Sequence, residues 1–403
     1  MVNLPVVHER LVKTALRRAN LTGSFVLGKY GLSPSMACTH GCTYCDGRAE
    51  RYWVDGEFDR DIVVRPNLPE LLARELPRLR ERGFISIGSG ITDAYQPVEQ
   101  VRAIMRDCAE VIADAGFPAV VMTKNAAVTR DLDLWRRVND RSRFLLVVSL
   151  THSDDRTRAQ FEPGASRVEE RIEALTAFRE AGCATGVLAM PLLPGVTDTD
   201  DNLGRLYDLL ARARVDFVQP GELTLRPGRQ KRWFMESLSA SYPALSREYE
   251  RLFAEERASG APLAAYRAQT SARALAHNRR VGFPFLPPHA IYRGVLHRYD
   301  EVNVLISHMI ELYRAVGVDV DRLRRAAGRY AEWLVARKSR YNRRPGSRYE
   351  DLDAELTAAC AAPALSVPDI DSIVQNPRLA ALIRSVVIDR ATFDYTTLRT
   401  HRA

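Results

Sequence analysis

The sequence predicts an α/β fold, a partial (β/α)6 TIM-type barrel followed by a mainly helical C-terminal extension. Three observations predict it. Short apolar runs of strand character alternate with helical patterns between residues 25 and 225. Counting from Phe25, six strand-helix units fit that span at about 30 residues each. Beyond residue 225 the alternation stops and helical periodicity takes over.

Residues 1–24 are read as an N-terminal helical segment, with Leu11 and Leu16 on the apolar side of Val7 to Arg18. The core domain, 25–225, opens with an extended segment from Phe25 to Leu32. Further strands are expected at Phe84–Gly88, Ala119–Thr123, Phe144–Ser149 and Gly186–Met190, with a weaker one at Asp216–Pro220. Helices are expected at Leu68–Arg82, Val98–Ala115, Leu132–Val138, Ser166–Ala181 and Thr199–Ala213. Parallel strands joined by helices bring their carboxyl ends to one face, so the loops after the strands are where chemistry should sit. The C-terminal domain, 226–403, carries helical patterns at Tyr242–Arg257 and Val302–Val316.

The loop after the first strand is the most informative stretch. Cys38, Cys42 and Cys45 stand in a C-x3-C-x2-C spacing, and Gly41 lets the backbone fold back so that three sulfurs can face one point. A disulfide would leave one thiol over. A four-iron cluster bound by three cysteines keeps one iron free for an exchangeable chelating ligand. The alternative is zinc held by Cys38, His40, Cys42 and Cys45, although no later Cys or His pair supplies the second half of a usual structural site.

Later strand ends carry their own polar residues. Gly88-Ser89-Gly90 and Thr92 to Glu99 follow the second strand, Lys124 the third, Ser149 ends the fourth, and Met190-Pro191-Leu192-Leu193-Pro194-Gly195 follows the fifth. Cys-x3-Cys-x-Tyr-Cys, Thr92-Asp93-x-Tyr95-Gln96-Pro97-x-Glu99, Thr123-Lys124 with Arg130-Asp131-x-Asp133, and the Met190 run together resemble the spore photoproduct lyase-like branch of the radical S-adenosylmethionine (SAM) superfamily. The resemblance covers roughly residues 25–225. It implies a 4Fe-4S cluster on Cys38, Cys42 and Cys45, whose open iron binds SAM and cleaves it to a 5′-deoxyadenosyl radical. It further implies Tyr44 near the adenine, Ser89 and Gly90 at the SAM amino group, Lys124 and Ser149 at its carboxylate, and Met190 lining the adenine pocket. Tyr95 is a candidate for a redox role. Members of that branch carry a hydrogen-donating cysteine after the second strand, and Ile85 to Tyr95 contains none.

Composition sets the outer bounds. The 403 residues bear 58 basic and 50 acidic side chains, a net charge of +8 that is compatible with an anionic partner without requiring one. Six cysteines in so long a chain fit a reducing compartment, and no run of about 18 apolar residues is present to span a bilayer. A cytoplasmic protein without a membrane partner is expected. Basic runs at Arg226–Trp233 and Arg337–Tyr349, the second with interleaved tyrosines, make nucleic acid a candidate partner. The expected function is a radical SAM enzyme that takes one electron from a reductant such as flavodoxin or ferredoxin and modifies a small-molecule or nucleoside substrate. The alternatives are a nucleic-acid lesion lyase and, from another class, a zinc-stabilised binding protein. His289, Tyr292 and Arg293, in a proline-rich stretch, are candidate substrate-side groups.

Overall fold

The computed structural model describes residues 4–23, 26–52, 54, 56–88, 90–343, 349–361 and 369–402. Six core strands follow the chain: β1 (Gly28–Leu32), β2 (Phe84–Ile87), β3 (Ala119–Thr123), β4 (Phe144–Ser149), β5 (Ala184–Leu192) and β6 (Phe217–Glu222). They lie in the order β6-β5-β4-β3-β2-β1, with Arg17–Arg18 added antiparallel outside β1. The pairs β2/β3, β3/β4, β4/β5 and β5/β6 are parallel. Spatial order equal to chain order is the winding of a (β/α) barrel, since a doubly wound sheet reverses at a switch point.

Helices α1 (Leu68–Glu75), α2 (Glu99–Ala115), α3 (Leu132–Arg141), α4 (Val168–Glu180) and α5 (Asp200–Arg212) connect the strands. Phe144 to Val147 of β4 are fully enclosed, as the unbroken apolar run of a doubly covered parallel strand requires. Trp135 of α3 stacks on Phe144 with ring centroids 4.7 Å apart, which ties that helix to the sheet. Gly88 turns the chain at the carboxyl end of β2 with φ +95°, and a Cβ there would lie 2.4 Å from the Met122 carbonyl. A side chain at this corner would push β2 off β3.

Val7 to Arg18 is not helical, and the only helical turn described before residue 24 is Leu21–Gly23. Val6–Glu9 is a strand parallel to Asp61–Val64, which also pairs with Ser35–Met36 in a separate three-stranded sheet. The apolar spacing of Val7 to Arg18 suits a helix, but other elements satisfy its backbone. Asn67 bonds both the N–H and the carbonyl of Val12, and Glu75 accepts the N–H groups of Ala15 and Leu16. A short helix, Asp155–Phe161, also escaped the pattern; Asp154 caps it by accepting from Thr157 N at 2.8 Å.

The chain divides into two compact units. One runs up to Arg18 and takes in Tyr30–Pro77 and Ile85–Phe285; the other comprises Ala19–Lys29, Arg78–Phe84 and the chain from Leu286. The second unit is mainly helical, with long helices at Arg298–Ala315, Asp321–Arg343 and Pro377–Val387. Its interior holds a buried charge cluster. Lys338 Nζ lies 2.8 Å from Glu81 and 3.1 Å from Asp300, and Lys29 Nζ pairs with the same two carboxylates. Burial alone would raise the Glu81 pKa, but Lys29 and Lys338 hold it down to about 2.

Much of the second basic run is therefore structural. Lys338 belongs to that cluster, Arg337 pairs with Glu355 at 2.9 Å, and residues 344–348 lie outside the described set. The proline-rich stretch is equally internal. His289 is buried between Glu301 and the Phe393 N–H, and the Tyr292 hydroxyl meets that of Tyr395 at 2.7 Å. No helix among the described residues is long and apolar enough to cross a membrane.

Candidate active site

The cysteine loop follows β1, so it leaves the carboxyl end of a core strand. Cys38, Cys42 and Cys45 are all free thiols. Cys38 and Cys42 are buried, and Cys45 is half-buried, with its Sγ 3.5 Å from the Gly90 carbonyl of the loop after β2. Gly41 adopts φ +63°, the left-handed turn on which the loop doubles back. Burial raises the pKa of all three thiols, Cys42 to about 12, and the neighbouring Cys42 and Cys45 raise that of Cys38 further. Metal coordination reverses that preference, because a ligating thiol is deprotonated outright.

Two separate segments clamp the loop. From one side Gln96 accepts from Thr39 N at 2.9 Å and donates to Ala37 O and to Ser35 Oγ, both at 3.1 Å. From the other, the Phe161-Glu162-Pro163-Gly164 turn accepts from Thr43 N through Phe161 O and donates Gly164 N to His40 O, both at 2.9 Å. A Cβ at Gly164 would sit 2.5 Å from Thr39 O, so the turn packs directly on the loop backbone.

Asp93 is the hub between the loops after β2 and β3. It accepts from Tyr95 N and Lys124 N at 2.8 Å and from Thr123 Oγ1 at 2.7 Å. His40 points at the same carboxylate, with Nδ1 3.6 Å from Asp93, while its Nε2 lies 3.1 Å from Asn125 Nδ2. In this structure His40 Nε2 is turned to Asn125 rather than toward the cysteines, which counts against it as the fourth ligand that a zinc site on this loop would need. As the side chains stand, no three His, Cys, Asp or Glu among the described residues, the three loop cysteines included, are grouped to hold a single metal ion. Three thiols on one loop match in number a cluster with one open iron more nearly than a closed four-ligand zinc site.

Lys124 stands over this loop. Its Nζ lies 5.8 Å from the Tyr44 ring centroid, and among the described residues no carboxylate pairs with it. Burial would lower its pKa, but the neighbouring Cys42 and Glu162 raise it, so the ammonium stays charged. The Tyr44 hydroxyl donates to Glu162, and Glu162 pairs with Arg171 at 2.5 Å; both ends of that ion pair are fully enclosed. Burial would push Glu162 up, yet Arg171, His152 and Lys124 hold it down to about 2. Arg171 also donates to the Ser149 carbonyl at 2.9 Å, which ties the end of β4 to the same network.

The sequence-derived residues fall into groups. Cys38, Cys42, Cys45, Tyr44, Gly90 and Lys124 are gathered on one loop cluster. Ser149 joins through Arg171, and Met190 packs against Gly221 of β6, where a Cβ would lie 3.0 Å from its own Cβ. Ser89 lies outside the described residues. Tyr95 is fully buried and stands behind the cluster, donating to Asp131 at 2.9 Å and accepting from Trp135 Nε1 at 2.7 Å. The other motif residues interlock there too: Arg130 bonds both oxygens of Glu99, and Arg106 bridges Asp131 and Asp133.

The first basic run braces the cysteine loop from outside. Arg226 Nε meets Asp46 at 2.6 Å, Arg229 Nε donates to Arg48 O at 2.8 Å, and Gln230 Nε2 donates to Tyr44 O at 3.0 Å. Arg48 in turn donates to Cys42 O at 3.2 Å and lies over the Trp233 ring. Sequence reasoning missed Glu162, Arg171 and this brace. The Glu-Pro-Gly turn was the only local signal, and it does not name its partner.

The comparisons point one way. The radical SAM superfamily model matches residues 32–210. An uncharacterized protein of Mycobacterium tuberculosis is 30% identical over 251 residues, which cover 61% of this chain and 73% of that protein. A radical SAM Nα-GlyT isomerase of Pseudomonas phage M6 is 25% identical over 191 residues, covering 46% of this chain and 38% of the phage protein. Among solved structures, a spore photoproduct lyase mutant with bound AdoMet and dinucleoside spore photoproduct aligns with a TM-score of 0.52 at 17% identity. That alignment covers 69% of this chain and 80% of the lyase, and at such identity it is a likeness of fold.

Proposed function

This chain belongs to the radical SAM superfamily and is a radical SAM enzyme, and from that premise we propose that Cys38, Cys42 and Cys45 hold a 4Fe-4S cluster at which SAM is bound. When bound, that pair supplies a carbon-centred radical able to abstract hydrogen from a substrate once a one-electron reductant such as flavodoxin or ferredoxin has charged the cluster. The observation that carries the reading is the Lys124 ammonium, without a carboxylate partner among the described residues, set over a loop of three free thiols. A flexible ammonium without a carboxylate of its own is suited to the carboxylate of SAM. Ser149, Gly90, Ser89, Met190 and the Tyr44 ring are proposed to complete the SAM site.

The chain's own residues orient and exclude. Glu162 fixes the Tyr44 hydroxyl, Asp93 fixes the backbone of Lys124, and Gln96 with the Phe161–Gly164 turn fixes the loop that bears the sulfurs. Tyr95, enclosed between Asp131 and Trp135, is assigned to positioning.

The substrate is proposed to be a small molecule or nucleoside. Returning a hydrogen atom from a thiol, as a lesion lyase of the related branch would, needs a cysteine near the site. In the first unit, Cys108 lies inside α2 and Cys183 precedes the amino end of β5, both fully buried. The first basic run adds little to a nucleic-acid reading, because Arg226 and Arg229 are turned onto the cysteine loop.

Anaerobically purified protein should be brown, contain about four irons per chain, and yield 5′-deoxyadenosine from SAM on reduction. A colourless protein carrying zinc would overturn the proposal. Within that frame, Lys124→Met should weaken SAM binding by about 1.5–3 kcal/mol, the worth of a hydrogen bond to a charged group, read as at least a tenfold rise in Kd by anaerobic equilibrium dialysis. An unchanged Kd would take Lys124 out of the site.

A further inference from the structure

The second unit contains a cavity of about 1260 Å³ that the proposed chemistry does not use, lined entirely by residues between Met309 and Thr400. Its apolar lining includes Val320, Leu379 and Phe393, which are buried, together with the half-buried Leu323 and Leu382. Around this lining stand Arg322, Arg325 and Arg329 of the helix Asp321–Arg343, Arg378 of the helix Pro377–Val387, and Arg399 of the terminal hairpin. Among the described residues the single acid in the lining is Asp319, whose carboxylate already accepts from Asp321 N at 2.9 Å.

Arg329 donates to the Val374 carbonyl at 2.7 Å. The other four arginines are exposed, and among the described residues none of them has a carboxylate partner. Several other arginines of this unit are matched, Arg324 with Asp321, Arg337 with Glu355 and Arg384 with Asp371, but the lining gathers four unmatched among the described residues round one cavity. Like charges gathered round an apolar surface repel one another until an anion arrives.

The arrangement says which anion. Arg322, Arg325 and Arg329 fall at i, i+3 and i+7, one face of one helix, and form a row about 10 Å long at 1.5 Å per residue. A small anion is gripped by groups that converge on a point, and small-molecule sites have volumes of about 300–1,000 Å³, below that of this cavity. A nucleic-acid strand asks for exposed rings on which bases stack, whereas this lining is largely aliphatic. We propose that the cavity is a docking groove for an acidic amphipathic helix of a partner protein. The apolar stripe of that helix lies on Val320, Leu323 and Leu382, and its acidic flank meets the arginine row.

The test uses the full chain and a fluorescein-labelled synthetic helix of 18 residues, with leucine on one face and glutamate along its flanks, read by anisotropy. Saturable one-to-one binding that weakens as salt rises is expected. The double variant Arg322→Glu/Arg325→Glu should weaken it about tenfold, and Arg378→Glu should weaken it as well. Leu382→Ser should weaken it without changing the salt dependence. If a reversed charge lowers the melting temperature, Arg322→Gln and Arg378→Gln serve in its place. Equal binding of a scrambled peptide of the same composition would overturn the proposal. So would tighter binding of oligo-dT that the same variants weaken, which assigns the groove to nucleic acid, or displacement of the helix by stoichiometric dodecanoate, which assigns it to a small acid.

Discussion

Replacing Cys42 with alanine should give a colourless protein, with iron near background by mass spectrometry and no 5′-deoxyadenosine above a no-enzyme control. The expected loss is complete because Cys42 is the middle of the three proposed donors, and its removal leaves only Cys38 and Cys45 on the loop. The fold should survive. The loop backbone is held by Gln96, by the Thr43 and Gly164 hydrogen bonds to the Phe161–Gly164 turn, and by Arg48 on the Cys42 carbonyl, none of which uses the sulfur. Circular dichroism and melting temperature should therefore stay close to those of the parent while iron is lost. Retained SAM cleavage would remove the loop from the mechanism, and retained zinc with unchanged colour would revive the binding-protein alternative.

The parts of the molecule that were legible in the sequence share a physical basis. The core strands and the helices between them could be read because each element buries its own apolar residues, so periodicity within a short window carries the information. The cysteine loop could be read because its three donors are close in sequence. What stayed hidden depends on partners far apart along the chain. Val7 to Arg18 has helical spacing, yet Asn67 and Glu75 claim its backbone, and neither lies in any local window. Arg226 and Lys338 looked like free cations, but Asp46 lies 180 positions before the first, and the second is matched by Glu81 and Asp300. A run of cations in sequence reports charge density; only the fold reports whether that charge has already been neutralised.

The same distinction divides the motif residues. Thr92 to Glu99 enters the sequence reading as a polar motif after a strand end, with Tyr95 a candidate for a redox role. In the structure Asp93 and Gln96 mainly hold other loops, while Tyr95 and Glu99 bind the 130–133 segment. A carboxylate that accepts three donors from two loops constrains position more tightly than an exposed contact would, and spacing alone does not separate the two roles.

Arg171→Ala is the substitution expected to cost the most stability, about 3–5 kcal/mol by urea unfolding at pH 7, because it leaves the Glu162 carboxylate enclosed without its counter-charge. The pH dependence follows from the direction of the shift. Glu162 titrates at about 2 in the folded protein against 4.5 for an unperturbed glutamate, so its contribution is fully present above about pH 4.5 and is lost as pH falls toward 2. Removing Arg171 withdraws the largest of the charges that hold Glu162 down, so the acid limb of stability should move to higher pH and flatten. Adding Glu162→Gln should recover part of the loss, because a neutral amide tolerates burial without the guanidinium. Recovery should be incomplete, since Arg171 also donates to the carbonyls of Ser149 and Ser166, at 2.9 and 2.8 Å. If the single variant is as stable as the parent at pH 7, or if the double variant is no better than the single, the buried pair is not what fixes Tyr44 beside the sulfurs, and the account of how this loop is held in place fails with it.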